Sequence, residues 1–293
     1  MLFNWIKTFV LLFGLSLLVL FLGHLFGGYE GVRIAFVIAI IMNIIAYFFS
    51  EKIVLRMYKA KKLDPTQYGW IYDTVEELAK TMDIPMPKLW IIHSPMANAF
   101  ATGRNPKHAS VAITSGIINL LDKNELRGVL AHELSHVKNR DILIATIAAT
   151  IATTISYASS MLRYAAYRCC TGPRSSNGRS NPVLMLLVSM LMPIAALLMQ
   201  LSISRSREYL ADESGGKYSK DPLALASALE KLHSQASSTS PGISSIGKES
   251  TAPLFIVHPF SKKGMLTLFS THPPVGKRIE HLRNLYEKMF HIK

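Results

Sequence analysis

His132-Glu133-Leu134-Ser135-His136 decides how this chain is read. The pentapeptide belongs to a helix. Asp122 followed by Glu125 makes a capping-box start, and Leu126, Val129, Leu130, Leu134 and Val137 recur at helical spacing. Residues four apart on a helix stack on one face, so both imidazoles can reach one tetrahedral metal. Glu133 follows the first histidine directly, which sets its carboxylate beside the open coordination position. There it can take the proton of a water attacking a peptide carbonyl, with zinc as the metal. The competing account is two ordinary histidines on an amphipathic helix, since this spacing also arises by accident. The rest of the chain weighs against it.

The 293 residues are 49% hydrophobic with a mean hydropathy of +0.25, high for a soluble globular protein. Lys and Arg number 32 against 19 Asp and Glu, a formal charge of +13. Such a charge suits nucleic acid, but in so apolar a chain it points to anionic lipid, and no nucleic-acid partner is expected. The two cysteines are adjacent, Cys169 and Cys170, which makes a poor structural disulfide and no cysteine metal site.

Trp5 to Phe26 is apolar and long enough to span a bilayer, at about 20 residues. Its weak basic start and the lack of a small-residue cleavage site argue against a signal peptide. Gly31 to Ser50 makes a second span after a short Gly-Gly-Tyr-Glu-Gly turn, so residues 1–50 read as a transmembrane hairpin. Lys52, Arg56, Lys59, Lys61 and Lys62 follow at once, which puts everything beyond Ser50 in the cytoplasm by the positive-inside rule.

Residues 51–141 read as the first half of a protease domain. Gln67 to Met82 is helical, with Ile71, Val75 and Leu78 on one face. Lys88 to Ile92, Asn98 to Gly103 and Ala109 to Thr114 are strands, the last two joined through Arg104-Asn105-Pro106-Lys107 as a hairpin. Nothing ends the helix after His136, so it is expected to run on into a third span from Ile142. A fourth span opens at Asn181-Pro182 and runs to Ile203, making residues 142–203 a second hairpin. The loop between these spans carries Arg163, Arg168, Arg174 and Arg179, which opposes an external location. Residues 204–293 supply the second half of the domain, with helices from Pro222 and from Val275 to about Phe290. The expected fold is an α+β membrane protein with about four transmembrane helices and a cytoplasmic gluzincin-type domain holding a small β-sheet.

Two histidines leave a zinc site one protein ligand short. A third histidine in the longer HExxHxxGxxH pattern is excluded, because Asn139 and Ile142 stand where Gly and His are needed. Helix depth favours Glu208: a span out and another back return the chain to the level it left, and Glu208 lies about as far beyond Ile203 as His136 lies before Ile142. The alternative is a surface carboxylate paired with Arg205 or Arg207. On the residues alone Glu213 and Glu230 stay open as rival ligands.

Glu208-Tyr209-Leu210-Ala211-Asp212, following the histidine pair across a hydrophobic hairpin, resembles the HtpX family of bacterial membrane zinc metalloproteases, relatives of the CAAX prenyl-protein endopeptidases. Asn98-Ala99-Phe100-Ala101-Thr102-Gly103, the run from His132 to Asp141, and Thr271-His272-Pro273-Pro274 extend the likeness over almost the whole chain. The resemblance implies one zinc ion held by His132, His136 and Glu208, with Glu133 as general base. It implies that Asp212 orients a ligand histidine, and that Asn98, Ala99 and Phe100 form the edge strand for an extended substrate. His272 and Arg278 match positions that approach the oxyanion. The family acts on misfolded membrane proteins in the bacterial inner membrane, in the stress response, alongside an ATP-dependent membrane protease. Two other functions compete. One is a non-enzymatic membrane module with a structural zinc, which would need no carboxylate beside the metal and would close the site with four protein ligands. The other is a prenyl-peptide protease, whose chamber needs more than about four spans.

Overall fold

A computed structural model of the protein describes residues 2–147, 186, 205–238 and 273–290. Helix α1 covers Leu2–Met57 and reverses at Gly28, whose φ of 57° and ψ of −140° suit only a residue without Cβ. The two limbs lie side by side: Asn43 Nδ2 donates to Ser16 Oγ at 2.8 Å. α1 is therefore a helical hairpin. Gly27–Met57 is the one helix among the described residues long and apolar enough to cross a membrane. It runs on unbroken through Ser50 and carries its last turns into the rest of the protein.

Five elements follow in order: β1 (Lys61–Lys62), α2 (Pro65–Thr81), β2 (Lys88–Ile92), β3 (Ala99–Asn105) and β4 (His108–Thr114). Asp64 caps α2 by accepting from the Thr66 N–H, with Pro65 at the first helical position. The four strands form one mixed sheet in the order β1-β2-β4-β3, with β2 parallel and β3 antiparallel to β4. The hairpin turn is tighter than the sequence predicts. Asn105 still pairs with His108, leaving Pro106-Lys107 as the two-residue connection. The residues alternate between two cores, as the strand period requires. Leu89, Ile91, Ala101, Val111 and Ile113 face a helical core, whereas Ile92, Phe100 and Ala112 pack on Val54, Leu55 and Tyr58 of α1. The sheet thus separates the end of α1 from the helices that pack on its other face.

Helices α3 (Ser115–Leu120) and α4 (Lys123–Lys138) come next, and α4 opens with the expected reciprocal capping box between Asp122 and Glu125. Its end corrects the expectation of one continuous helix into the third span. Arg140 adopts φ 59°, its N–H bonds the Val137 carbonyl, and the Asp141 N–H reaches back to the His136 carbonyl. This is a Schellman stop with an arginine at the left-handed position, at a backbone cost of roughly 1–2 kcal/mol. A new helical stretch covers residues 142–147. The remainder of the expected third and fourth spans, with Cys169 and Cys170, lies outside the described residues.

Three further helices complete the catalytic half: α5 (Arg205–Ser219), α6 (Pro222–Ser238) and α7 (Val275–Phe290). α5 lies along α4 and touches α6 and α7. The α4–α5 approach depends on Gly215, where an added Cβ would come within 2.9 Å of the His132 nitrogen and 3.0 Å of its Cα. Glu208, Asp212 and Gly215 share one face of α5, so this close contact turns both carboxylates towards the histidines.

Candidate metal centre

His132 and His136 stack on α4 as the helical spacing dictates, their rings edge to face with centroids 4.8 Å apart. The two Nε2 atoms are 3.3 Å apart. Glu208 on α5 reaches them with Oε2 at 3.8 Å from His132 Nε2 and Oε1 at 3.7 Å from His136 Nε2. One ligand atom from each of the three lies within 4.8 Å of the others, so the cluster could hold a metal ion. Two ligand nitrogens on one tetrahedral zinc stand ~3.3 Å apart, given bonds of ~2.0–2.1 Å. The histidine pair is set for such an ion, and the Glu208 oxygens lie a few tenths of an ångström further out. His132 and Glu208 are buried and His136 is half-buried.

Neither rival carboxylate enters this cluster. Glu213 pairs with Lys217 and Glu230 with Arg283, both at the surface. Nor is Glu208 a surface carboxylate: it is buried, and Arg207 Nε lies 3.5 Å from Asp141 Oδ1.

Each histidine is backed by a carboxylate on its other ring nitrogen. Asp212 Oδ1 is 3.0 Å from His132 Nδ1, and Asp141 Oδ2 is 3.5 Å from His136 Nδ1. Such partners fix the ring orientation and the tautomer that leaves Nε2 free for a metal. Asp141 is the residue the sequence reading missed, because only the Schellman turn folds it back over His136. Burial alone would lower the His136 pKa. The bond to Asp141 and the charges of Glu208 and Glu133 outweigh it and raise the imidazole to about 9.

Glu133 is buried beside the pair, and its Oε2 accepts from the Ala101 N–H of β3 at 2.8 Å. Burial pushes this carboxyl above the usual range, and the two imidazoles and the Ala101 N–H pull the other way. That hydrogen bond shows how the sheet meets the site. β3 is the outer strand, and the carbonyl of Asn98 just before it accepts from the Thr114 N–H. The alternation then turns Asn98, Phe100 and Thr102 towards β4, and the backbone of Ala99, Ala101 and Gly103 to the open edge. The Asn98 and Phe100 side chains are buried, the latter against Tyr58 with ring centroids 5.3 Å apart. At Gly103 the edge is closed by Thr146, whose hydroxyl accepts from that N–H at 3.4 Å and lies 3.0 Å from the Thr102 hydroxyl.

Arg278, on the first turn of α7, is fully buried. It donates from Nε and Nη2 to the two Asp212 oxygens, each at 2.7 Å. Its Nη2 is also 3.4 Å from His132 Nε2, and Nη1 is 3.9 Å from Glu208 Oε2. Burial pushes Asp212 up, but the Arg278 charge and fork hold it below the ordinary carboxylate value. Removing either member would leave a buried charge unpaired, a change that typically costs about 3–5 kcal/mol. His272 lies outside the described residues.

A helix bearing the histidine pair and an adjacent glutamate, joined by a buried glutamate from a second helix and flanked by an edge strand, is the arrangement of a metallopeptidase. The family model described as peptidase family M48 matches residues 65–286. The chain belongs to that family and is a metalloprotease. A protein described as "Protease HtpX homolog" from Sulfurihydrogenibium sp. (strain YO3AOP1) is 47% identical over 290 residues, 98% of this chain and 97% of its own. Another of that description, from Paraburkholderia phytofirmans (strain DSM 17436 / LMG 22146 / PsJN), is 46% identical over 284 residues, 97% of each chain. The HtpX resemblance drawn from the motifs is borne out. Among solved structures, the crystal structure of S. mikatae Ste24p shares the fold, with a TM-score of 0.50 over 96% of this chain and 67% of that one, at 18% identity.

Proposed function

We propose that this protein is a membrane-embedded, zinc-dependent endopeptidase that cleaves unfolded or damaged membrane proteins. The observation that carries the reading is the triad of His132, His136 and Glu208 with the buried Glu133 carboxylate beside it. A bound zinc ion supplies a Lewis acid that polarises the scissile carbonyl and makes an attacking water acidic near neutral pH. Glu133 takes the proton of that water and later hands it to the leaving amine, with the Ala101 N–H holding the carboxylate in position. Asp212 and Asp141 keep the two imidazoles turned with Nε2 inwards. The substrate backbone adds as a strand along β3, meeting the backbone of Ala99 and the Ala101 carbonyl, and Thr146 bounds the groove at Gly103. Incubating the detergent-purified protein with casein should give fragments that a chelator abolishes and added zinc restores. Cleavage unaffected by the chelator would sink the zinc mechanism.

Arg278 and His272 complete the reading as donors to the oxyanion. Alanine at position 278 would strand Asp212, so Arg278→Lys is the cleaner variant, alongside His272→Ala. Each should lower kcat by about 10²- to 10³-fold with metal retained. A change confined to KM would move these residues to substrate binding.

The setting we propose is the bacterial inner membrane, with about four spans, both termini and the zinc site cytoplasmic, and an ATP-dependent membrane protease as partner in the stress response. Reporter fusions at Tyr29, Lys107, Ser176 and Lys293 test the topology. Lys107 and Lys293 should report cytoplasm and the other two the opposite side. A cytoplasmic signal at Ser176 would make residues 142–203 a re-entrant hairpin.

A further inference from the structure

One cavity is lined by none of the metal-centre residues. It has a volume of about 1030 Å³ and opens to the surface between the last turns of α1, the strands β1 and β2, and the start of α2. That is at the upper end of the ~300–1,000 Å³ usual for ligand clefts. Its floor is apolar: Leu55, Leu63 and Leu89 are buried and Trp90 is half-buried. Its rim is cationic. Lys52 and Arg56 stand one turn apart on α1, Lys62 lies on β1 and Lys88 begins β2, all four exposed. None of these cations makes an ion pair among the described residues. The two acids that line the cavity are engaged elsewhere. Glu51 accepts from the Ser110 hydroxyl at 2.7 Å, and Asp64 accepts from the Thr66 N–H at 2.9 Å.

The cavity sits where α1 leaves its apolar stretch. Phe48 and Phe49 are exposed, with Arg104 5.5 Å above the first ring and Lys52 5.6 Å above the second. Lys and Arg side chains at the end of an apolar helix carry their charges to the membrane–water interface. Arg56 is one turn beyond Lys52, about 6 Å along the helix. The rim therefore lies at headgroup depth.

We propose that this cavity binds the headgroup of an anionic phospholipid. The phosphate sits among Lys52, Arg56, Lys62 and Lys88, and the glycerol and first methylenes lie on Leu63, Leu89 and Trp90. Two features favour an amphiphile over a free anion: the apolar floor, and a volume that inorganic phosphate would leave mostly empty. Unpaired basic residues at this depth also meet the negative surface of a cytoplasmic leaflet.

Trp90 is a fixed reporter, its Nε1 donating to the Ser110 hydroxyl at 3.0 Å. The full chain carries three tryptophans, so replacing Trp5 and Trp70 with Phe leaves Trp90 alone. This protein, in neutral detergent, is titrated with phosphatidylglycerol brominated on its acyl chains, and separately with brominated phosphatidylcholine. Phosphatidylglycerol should quench Trp90 saturably, at concentrations at least tenfold lower than phosphatidylcholine. Lys62→Glu with Lys88→Glu should erase that preference, and Lys220→Glu, which does not line the cavity, should leave it. If the double reversal misfolds by circular dichroism, Arg56→Gln with Lys88→Gln replaces it, with at least a threefold weakening expected. Equal quenching by the two lipids, or an unchanged preference in the rim variants, overturns the proposal. Displacement of the lipid by equimolar inorganic phosphate would also overturn it, in favour of a free-anion site.

Discussion

Glu133→Gln protein should keep its fold and its metal and lose proteolysis by about 10²- to 10⁴-fold, the range of a general base. Glutamine is nearly isosteric, and its carbonyl oxygen can still accept from the Ala101 N–H that now bonds Oε2 at 2.8 Å. What it cannot do is take a proton. The substitution also removes a buried carboxyl whose charged form is costly, so the variant should be at least as stable as the wild type. Metal content and the rate of casein cleavage, measured on the same preparation, test the assignment. A wild-type rate with metal bound would show that another group takes the proton.

Glu208→Ala should lose the metal and with it all activity, whereas Glu213→Ala and Glu230→Ala should keep both. Glu208 is buried and brings an oxygen to each histidine, at 3.8 and 3.7 Å. Without it, two imidazoles alone would have to retain the ion, next to the buried Arg278 charge 3.9 Å from the lost carboxylate. Glu213 and Glu230 stand at the surface in pairs with Lys217 and Arg283. Their loss is that of an exposed ion pair, typically about 0–1 kcal/mol. Metal analysis of the three purified variants separates them. Zinc retained in Glu208→Ala, with loss in either of the others, would reassign the third ligand.

These outcomes bear on what can be read from residues alone. Local physics is legible along a chain. The i, i+4 histidines, the Asp122–Glu125 box, the buried face of α2 and the alternating strands all follow from periodicities of 3.6 and 2.0, and each appears in the structure. The reversal near Gly28 is legible for the same reason, since few other residues tolerate that backbone. From the residues alone Glu208 is favoured only through helix depth, with Glu213 and Glu230 open, and the family resemblance adds to that preference.

Tertiary packing decided the rest. The α4–α5 contact at Gly215 turns Glu208 and Asp212 inward, and no local pattern carries that information. Only the family resemblance picks out Arg278 in sequence, as a residue approaching the oxyanion, and nothing local shows that it is buried. It is a buried fork on Asp212 because α7 closes over α5. The break at Arg140 was hidden because an arginine, not a glycine, takes the left-handed position there. With it went any sign that Asp141 would fold back over His136. The chain by itself determined which groups could do the chemistry, since donor type and helical spacing are local properties. The tertiary structure decided which carboxylate joins the histidines and which partners hold them, because those contacts form between residues far apart in sequence and depend on how closely two helices can approach.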